Sequence, residues 1–350
     1  DLSGASQSQT SIGAAVGVNI SQLLYDGGES AANVDRAAAQ ALVVQSERLA
    51  LGNELALQVA RAWTDVWQYD KRLLLLQTRT SEIDTLVVQI DRLAANGMID
   101  RASVESVRRQ IADIGLEEVR LSADREDARI RFKRYFGALP EPLAAPAELI
   151  SVSQAREAIA VRDWQQAPVL RRAAAELLGA RSALVSAQAA LRPRAVIQAG
   201  IKSPTSQGDS ADTSVGVALE YTFGDGGRRR AQIDAAQARV NMLDAQLTEA
   251  QATVSADLDT ALGRLTAIEH SMPLMEDQLR LSAAEAETAR SQLATGQSSI
   301  RQLVEAEIAT YRVRDRQIAM QAEKVNLQLA IASLTGALGR VVGLDTSETP

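Results

Sequence analysis

Apolar and small residues recur every three or four positions through two long stretches of the chain, residues 29–95 and 228–294. Leu51, Leu55 and Val59 show this spacing, which places one apolar face along an α-helix. The first stretch contains no proline, so it predicts one unbroken helix on the order of 100 Å long at about 1.5 Å per residue. A helix of this length exceeds what a globular core buries, and it therefore indicates coiled-coil packing.

Each long stretch ends at a glycine, and a second helical pattern follows. Gly97 and Gly296 lie at these ends, and glycine suits a chain reversal because it readily adopts positive φ. The pattern therefore predicts two helical hairpins, 28–136 and 228–335. Pro273 lies inside the long helix of the second hairpin, where we expect a kink that the first hairpin lacks.

The segment after the first hairpin is punctuated by prolines between residues 138 and 153, which predicts an irregular connection. A short helix is expected near 154–163. Pro168 begins a further helix, 168–192, because proline fits the first turn of a helix. That helix and the returning arm of the hairpin, stacked end to end, would match the length of the long helix. The segment 138–165 is then expected outside the helices as a belt.

Strict alternation of apolar and polar residues in 14–25 and 213–224 predicts two β-strands with one apolar face each. Another extended stretch, 1–8 or 194–202, precedes each of them across a turn rich in Gly, Ser and Asp. Strands of roughly 9–12 residues are long enough to cross a bilayer when they are tilted. Four strands cannot close a barrel, so other copies must contribute, and three copies would give about twelve. Each hairpin alone is typical of a soluble protein, but helices this long favour the barrel.

The chain repeats itself at an offset of 199 residues. Glycine landmarks keep this spacing without a net gap, which chance similarity between alanine-rich helices would not preserve. The matched positions are Asp26-Gly27-Gly28 with Asp225-Gly226-Gly227, Gly97 with Gly296, and Gly137 with Gly336. The repeat predicts two equivalent halves, 1–199 and 200–350, about a pseudo-symmetry axis. The counterpart of 154–200 would lie before Asp1, so we expect the first half to lack one helix.

Composition and charge exclude several functions. Aromatic residues make up 3% of the chain, too few for several conventional cores, and the net charge of −7 lacks the basic footprint of a nucleic-acid-binding protein. The chain has no cysteine and one histidine, His270, which leaves little for thiolate chemistry, metal sites or catalytic triads. No phosphate loop and no dinucleotide fingerprint occurs. We therefore expect no enzymatic activity, no cofactor and no bound metal.

The junction between strand and helix carries a family resemblance. Residues 22–28 read Gln-Leu-Leu-Tyr-Asp-Gly-Gly, which resembles the outer-membrane efflux protein (TolC) family, where Gln-Pro-Leu-Phe-Asp-Gly-Gly is often found. Leu23 replaces the proline of the family. Residues 167–193 are similar to the family's helix between a Pro-x-Leu start and a Leu-x-Pro end, and Gly97 and Gly296 match its hairpin turns. The resemblance covers nearly the whole chain.

The resemblance implies a TolC-like channel-tunnel, mainly α with a membrane β-barrel portion. A long antiparallel coiled-coil α-barrel would continue into a trimeric β-barrel of about twelve strands, four from each chain. A belt around the tunnel would come from residues 138–165 and from the C-terminal segment 337–350. The protein would lie in the outer membrane of a Gram-negative bacterium, in contact with outer-membrane lipid, with a periplasmic extension.

By the same resemblance the chain is a passive export conduit, from its periplasmic tip to the cell exterior, in a tripartite efflux pump or a type I secretion system. It would be a homotrimer that works with a periplasmic adaptor (membrane fusion) protein and an inner-membrane transporter of the ABC or RND type. No nucleic acid is expected as a partner. The alternative is a periplasmic coiled-coil structural or adaptor protein, which explains the helices but neither the alternating strands nor the Asp-Gly-Gly junctions.

The resemblance also implies a periplasmic gate. The family often carries acidic residues just after the second hairpin turn, and the matching positions are Gln302 and Glu305, of which only Glu305 is acidic. Three copies would form one cation-attracting ring, although a solvated carboxylate on a helix explains Glu305 equally well. The family's polar lock between helices falls on Ser103 and Leu293. Leu293 cannot make a polar link, so closure is expected to differ here.

Two further sets of residues are candidates. The hairpin turns are expected to contact the adaptor, although positive φ alone would explain their glycines. These turn residues are Asn96, Gly97, Met98, Thr295, Gly296, Gln297 and Ser298. The strand–helix junctions are expected at Asp26, Gly27, Gly28, Asp225, Gly226 and Gly227. Arg228, Arg229 and Arg230 follow the second junction, where they are expected as interfacial or solvated charges at the membrane boundary.

Overall fold

The computed structural model describes residues 15–96, 101–138, 143–204, 212–295, 299–341 and 343. The helices are α1 (Glu29–Ala95), α2 (Arg101–Phe136), α3 (Val152–Ala160), α4 (Pro168–Ala189), α5 (Arg228–Ala294), α6 (Ile300–Leu334) and α7 (Ala337–Val341). The strands are β1 (Ala15–Tyr25), β2 (Arg194–Pro204) and β3 (Asp212–Glu220), and a 3-10 helix spans Asp163–Gln166. No helix of the described residues has an apolar stretch long enough to cross a membrane.

The helices repeat at the offset seen in the sequence. α1 and α5 each contain 67 residues, and α2 and α6 contain 36 and 35 residues. Both pairs start 199 positions apart. Gly137 and Gly336 follow α2 and α6 with φ of 73° and 72°, a region that glycine enters without strain and that ends a helix. Pro273 lies inside α5, which continues through it, and the kink expected there stays a prediction.

The chain divides into two compact units. The first comprises the described residues up to Gln45 together with Arg172–Glu249. It contains an antiparallel sheet of order β1-β2-β3. The start of α1 packs on α4 through small residues: a Cβ added at Gly179 would lie 3.5 Å from the Cβ of Ala39. Small side chains let the two helix backbones approach closely at this point.

The strands of this sheet differ from expectation at their ends. β3 stops at Glu220, short of the predicted end at residue 224. Its partner β2 begins at Arg194, which pairs with Glu220, so β2 has no residue to pair with β3 beyond that point. The Thr222 carbonyl accepts a hydrogen bond from the Arg229 side chain instead. A register shift interrupts β1 between Leu23 and Tyr25. The strand predicted at 1–8 lies outside the described residues.

The second unit comprises Ser46–Arg171 and the described residues from Ala250 onward. One apolar core joins α1, α2 and α6, with Leu76, Val107 and Val304 among its buried members. Leucine, isoleucine and valine at three- and four-residue spacing bring the helices together as the sequence pattern predicts.

A second core of this unit lies under α3 and the 3-10 helix. Trp164 and Leu170 pack against Leu258 and Leu265 of α5. The extended segment 143–150 is fastened by side chains of two helices. Trp63 Nε1 of α1 donates to the Ala144 carbonyl at 3.3 Å, and Gln328 Nε2 of α6 donates to the Ile150 carbonyl at 2.8 Å. Segment 143–150 is therefore anchored on α1 and α6 although it has no regular secondary structure.

Candidate functional site

The first strand–helix junction is closed by its aspartate. The backbone amides of Gly28 and Ser30 donate to Asp26 Oδ1 and Oδ2 at 3.0 and 2.7 Å. These bonds satisfy amides that the start of α1 would leave free. They lower the pKa of the Asp26 carboxyl, with the hydrogen bonds from Ser30 as the largest cause. Gly27 has a φ of 70°, and the Arg192 guanidinium donates to its carbonyl at 2.7 Å.

The second junction, which begins at Asp225, repeats this arrangement. The amides of Gly227 and Arg229 donate to Asp225 at 3.2 and 2.9 Å, and they lower the pKa of its carboxyl, the Arg229 amide most strongly. The Arg229 side chain pairs with Asp225 at 2.9 Å and donates to the Ala190 carbonyl at 2.8 Å. An arginine thus fastens each junction near the C-terminal end of α4: Arg192 at the first and Arg229 at the second.

The hairpin tips are described only in part. The Asn96 amide donates to the Arg92 carbonyl at 3.2 Å, and the Thr295 amide donates to the Ser291 carbonyl at 3.3 Å, so each residue completes the last turn of its helix. The other candidate tip residues lie outside the described residues: Gly97, Met98, Gly296, Gln297 and Ser298. Their contact with an adaptor stays a prediction.

The two candidate gate residues lie in the first turns of α6. Gln302 forms a capping box with Ser299, in which the Gln302 amide donates to Ser299 Oγ at 3.3 Å and the Ser299 amide donates to Gln302 Oε1 at 3.1 Å. Glu305 is exposed and accepts from Arg301 at 3.4 Å, one helical turn earlier. Gln302 therefore contributes to the helix start, while Glu305 keeps its carboxylate at the surface.

Glu307, just beyond them, is a buried carboxylate that joins three helices. Its side chain is 7% exposed and accepts from Arg79 of α1 and from Arg290 of α5. Arg79 also pairs with Glu82 at 2.7 Å. We call Arg79, Glu82, Arg290 and Glu307 the charge clamp. Removing one partner of a buried ion pair is destabilising because the other charge is left buried without its counter-charge. Glu307 therefore needs its arginine partners, and this requirement specifies where α1, α5 and α6 meet.

A second ion pair between α1 and α6 lies further along both helices. Arg72 makes two hydrogen bonds to Asp315, at 2.6 and 2.9 Å, a geometry that fits guanidinium to carboxylate. The hydrogen bonding to Asp315 raises the pKa of Arg72. Tyr311, one turn from Asp315, donates to Glu117 of α2 at 3.2 Å. Burial, with the charges of Asp315 and Glu117, raises the pKa of Tyr311, which therefore stays neutral.

These clusters organise helices, and their chemistry is that of hydrogen bonds and ion pairs. Among the residues that the structure describes, no group of His, Asp and Glu side chains is placed to hold a metal ion. These hydrogen bonds and ion pairs can determine how tightly the helices pack near the ends of the two hairpins.

The fold is shared with known proteins. A sequence model of the outer membrane efflux protein family matches residues 163–337, half of the chain. The chain belongs to this family. The matched range runs from the 3-10 helix through α4, β2, β3, α5 and α6 to the start of α7. Comparison with curated protein sequences finds no significant match.

Solved channels of low sequence identity have the same fold. CusC matches with a TM-score of 0.80 and 14% identity, over 95% of this chain and 80% of CusC. The outer membrane protein VceC from Vibrio cholerae matches with a TM-score of 0.79 and 15% identity, over 92% and 79% of the two chains. The CmeC outer membrane channel of Campylobacter jejuni gives 0.76 and 12%, over 91% and 70%. The TolC-like fold expected from the sequence is confirmed.

The position expected for the polar lock of this efflux protein family is apolar in α5. Leu293 packs against a cluster that contains Leu303 and Ala306 of α6. Arg290, about one turn earlier, makes the polar link to Glu307. Ser103 lies half-buried on α2. A polar connection between α5 and α6 is thus made by Arg290 and Glu307, about one turn from the apolar Leu293.

Sequence reasoning missed Arg79 and Glu307, although their spacing carries a signal. Arg79 continues the three- and four-residue spacing of Leu76 and Ile83 on α1, and Glu307 continues that of Val304 on α6. A charge in an otherwise apolar face is buried only when it is paired. One arginine and one glutamate at such positions therefore predict an ion pair between the two helices.

Proposed function

We propose that this member of the outer membrane efflux protein family is a passive export conduit through the outer membrane, assembled from three copies. It carries cargo from periplasmic hairpin tips to the exterior of a Gram-negative cell. Family membership supports an outer-membrane efflux channel. The observation that carries the membrane part of the proposal is a sheet with one exposed apolar face and one polar face.

The apolar face runs across all three strands. Val18 lies opposite Ile201, and Ile20 lies opposite Ala199, which faces Val215 on the next strand. Val18, Ile20 and Val215 are 63%, 67% and 74% exposed. A contiguous apolar surface of this kind marks an interaction site in a soluble protein, whereas lipid covers it in a membrane strand.

The polar face alternates with the apolar one. Asn19 lies opposite Gly200, which faces Ser214, and Ser21 lies opposite Gln198. Successive side chains of a strand point to opposite faces, so these residues share the side away from Val18. Small and polar side chains suit the water-filled interior of a membrane channel.

Exposed aromatic and basic residues follow the sheet. Tyr221 and Phe223 pack edge to face with their ring centroids 4.8 Å apart, and Phe223 is 92% exposed. Arg228 and Arg230 are exposed at the start of α5. Aromatic rings and basic side chains concentrate at the boundary between lipid and water. This supports a membrane boundary at the strand–helix junction.

A membrane sheet also needs partners at its edges. Backbone groups that face lipid without a hydrogen-bond partner are strongly unfavourable. β3 pairs with β2 on one side, and strands from other copies would pair its second side. Association of three copies, as the family resemblance implies, supplies those strands and makes the conduit a homotrimer.

The entrance lies at the hairpin tips in this proposal. Residues 96–98 and 295–298 dock on a periplasmic adaptor that is coupled to an inner-membrane transporter of the ABC or RND type. Both tripartite efflux and type I secretion are compatible with this arrangement. Glu305, exposed near the start of α6 and close to Gln302, forms a cation-attracting ring in the trimer. The charge clamp holds the helices of the entrance together.

A periplasmic coiled-coil structural or adaptor protein is the competing function. Such a protein would use the long helices and the tips but would keep the sheet in water. The two functions therefore differ in what surrounds the apolar face of the sheet.

Site-specific labelling distinguishes these functions. The chain contains no cysteine, so a single-cysteine variant reports one position. Val217→Cys places a fluorophore on the apolar face, and Gln198→Cys places one on the polar face of the adjacent strand. In outer membranes that contain the full chain, a lipid-soluble quencher should act on the Val217→Cys label and a water-soluble quencher on the Gln198→Cys label. Labels that both respond to the aqueous quencher alone would overturn the proposal in favour of the coiled-coil function.

A further inference from the structure

A cavity of about 350 Å³ lies between α1, α2 and the extended segment 143–150, within the second unit. Its wall on α1 is formed by residues at three- and four-residue spacing, among them Trp67, Lys71 and Leu74, which share one face of the helix. Leu143 closes it on the side of the extended segment. The described residues of the charge clamp, the strand–helix junctions and the hairpin tips do not line it. A cavity of this size has room for a small organic molecule.

The charged side chains that line this cavity are mainly basic. Among the described residues, Lys71, Arg125 and Arg129 line it together with one carboxylate, that of Asp70. This carboxylate is already bound, because Arg125 Nε donates to Asp70 Oδ1 at 2.5 Å. The two remaining basic side chains give the cavity a net positive charge, which attracts an anion.

Arg129 is the basic residue of the cavity with the poorest partner. Its side chain is 19% exposed, and its one ion pair among the described residues joins its Nε to Glu126 Oε1 over 3.9 Å. This distance is longer than a hydrogen bond, and the Glu126 side chain is 62% exposed. A largely buried guanidinium without a hydrogen-bonded counter-charge is unfavourable, so an anion in the cavity stabilises it.

Trp67 gives the cavity an apolar wall and a further unpaired donor. The residue is 7% exposed, and its Nε1–H has no acceptor among the residues that the structure describes. Buried indole N–H groups ordinarily have a partner, so this one favours an acceptor nearby. Leu73, Leu74 and Leu143 extend the apolar wall beside the ring. The cavity therefore combines an apolar surface with adjacent positive charge.

We propose that this cavity binds a small amphiphilic organic anion, a carboxylate that carries an aromatic or short alkyl group. The Arg129 guanidinium donates to the carboxylate, and Lys71, exposed at the rim, adds electrostatic attraction. The apolar group packs against Trp67 and Leu143. Inorganic phosphate would leave the apolar wall uncovered, and a neutral hydrocarbon would leave Arg129 without a counter-charge. A carboxylate with an apolar group satisfies both parts of the site.

Such a ligand contacts α1, α2 and segment 143–150 at once. The segment has no regular secondary structure and is held by hydrogen bonds from Trp63 and Gln328, so a ligand at Leu143 adds a further attachment. The cavity lies within one chain. The inference therefore does not depend on the export function or on the number of copies.

Ligand-observed fluorine NMR of the full chain in detergent tests the proposal, with a fluorinated naphthoate as the probe. The probe is ionised at pH 7, and its neutral analogue, the corresponding naphthamide, has the same rings without the charge. Arg129→Gln removes the guanidinium from the cavity. The matched control, Arg120→Gln, removes an exposed guanidinium from the opposite side of the same helix. Circular dichroism verifies that each variant keeps its helices.

The expected result is saturable binding of the naphthoate, weakened about tenfold by Arg129→Gln and about threefold by Lys71→Gln, and unchanged by Arg120→Gln. The naphthamide should bind about tenfold more weakly than the naphthoate, because it offers no charge to Arg129. Partition into detergent is not saturable and is the same for every variant.

Three outcomes would overturn the site. They are no saturable binding to the wild type, equal binding to Arg129→Gln and Arg120→Gln, and equal binding of the naphthoate and the naphthamide. Each of them leaves the proposed export function standing, because that function is tested by labels on the sheet and does not use this cavity.

Discussion

The two strand–helix junctions are nearly interchangeable, whereas the long helices that start from them are not. Asp26 and Asp225 accept equivalent backbone hydrogen bonds at the starts of α1 and α5. Further along, Arg72 of α1 corresponds to Ser271 of α5, and the two make different contacts. A tight turn restricts its residues, because positive φ favours glycine and a short carboxylate reaches the free amides. A helix face accepts either an ion pair or apolar residues, so the two repeats diverged there.

Glu307→Ala tests how much the buried ion pairs of the long helices contribute to stability, and it should have the largest effect. Without the carboxylate, Arg79 keeps only the exposed Glu82 as a partner and Arg290 keeps Glu287, so the free energy of unfolding should fall by about 3 kcal/mol, the lower end of the cost of breaking a buried ion pair. Chemical denaturation in detergent measures this. The control, Glu305→Ala, removes an exposed carboxylate of the same helix and should change the free energy of unfolding by at most about 0.5 kcal/mol. Similar losses in both variants would contradict the clamp.

An exchange of residues between the repeats sharpens the comparison. Asp315→Leu gives α6 the residue that α2 carries and leaves Arg72 unpaired, so the free energy of unfolding should fall by about 2–3 kcal/mol. Adding Arg72→Ser should restore most of that loss, since the pair then matches Ser271 and Leu116. A double variant that is as unstable as the sum of its single changes would show that the repeats are not equivalent here.

Removing each junction aspartate tests whether the two turns of this chain, which share one geometry, depend on the same hydrogen bonds. Asp26→Ala should speed hydrogen exchange of the Ser30 amide roughly fivefold, and Asp225→Ala should do the same for Arg229, because each amide loses its cap. Hydrogen exchange followed by mass spectrometry measures both segments. An effect at one junction alone would show that the second aspartate acts only through its side-chain pair with Arg229.

Lowering the pH should give the smallest effect, and it selectively tests the charge of the two junction aspartates. The pKa of Asp26 and that of Asp225 lie below the ordinary value of 3.8. A lowered pKa means that each carboxylate stabilises the folded junction above that value and that this stabilisation is lost as the pH falls through the lowered pKa. The difference in exchange between the wild type and Asp26→Ala should therefore persist at pH 7 and shrink below about pH 3.8. A difference that is constant with pH would contradict a charged cap.

The long hairpins could be predicted from the sequence because their signals are local. Glycines with positive φ stand at Gly137 and Gly336, and apolar spacing marks one face over each helix. The apolar face of the sheet could be predicted for the same reason, since alternation at Val215 and Val217 depends only on the strand period.

Other features depend on contacts between distant segments. The end of β3 at Glu220 follows from its register with β2, whose first residue Arg194 pairs with Glu220, and a strand pattern does not show this. The charge clamp needs α1, α5 and α6 to meet at Glu307, and only the packing of the two hairpins decides that. The gate residues Gln302 and Glu305 were therefore expected from their match to family positions, whereas the ion pair of Arg79 with Glu307 was not predicted.

Single-channel recording of the purified trimer in a planar bilayer tests the central claim most directly. The account predicts discrete current steps with cation selectivity, reduced by Glu305→Ala, and larger steps for Glu307→Ala because the clamp no longer holds the entrance helices together. Insertion is verified in the same bilayers with the Val217→Cys label. An inserted trimer that passes no current, either as the wild type or as Glu307→Ala, would contradict the proposal that this protein is an outer-membrane conduit.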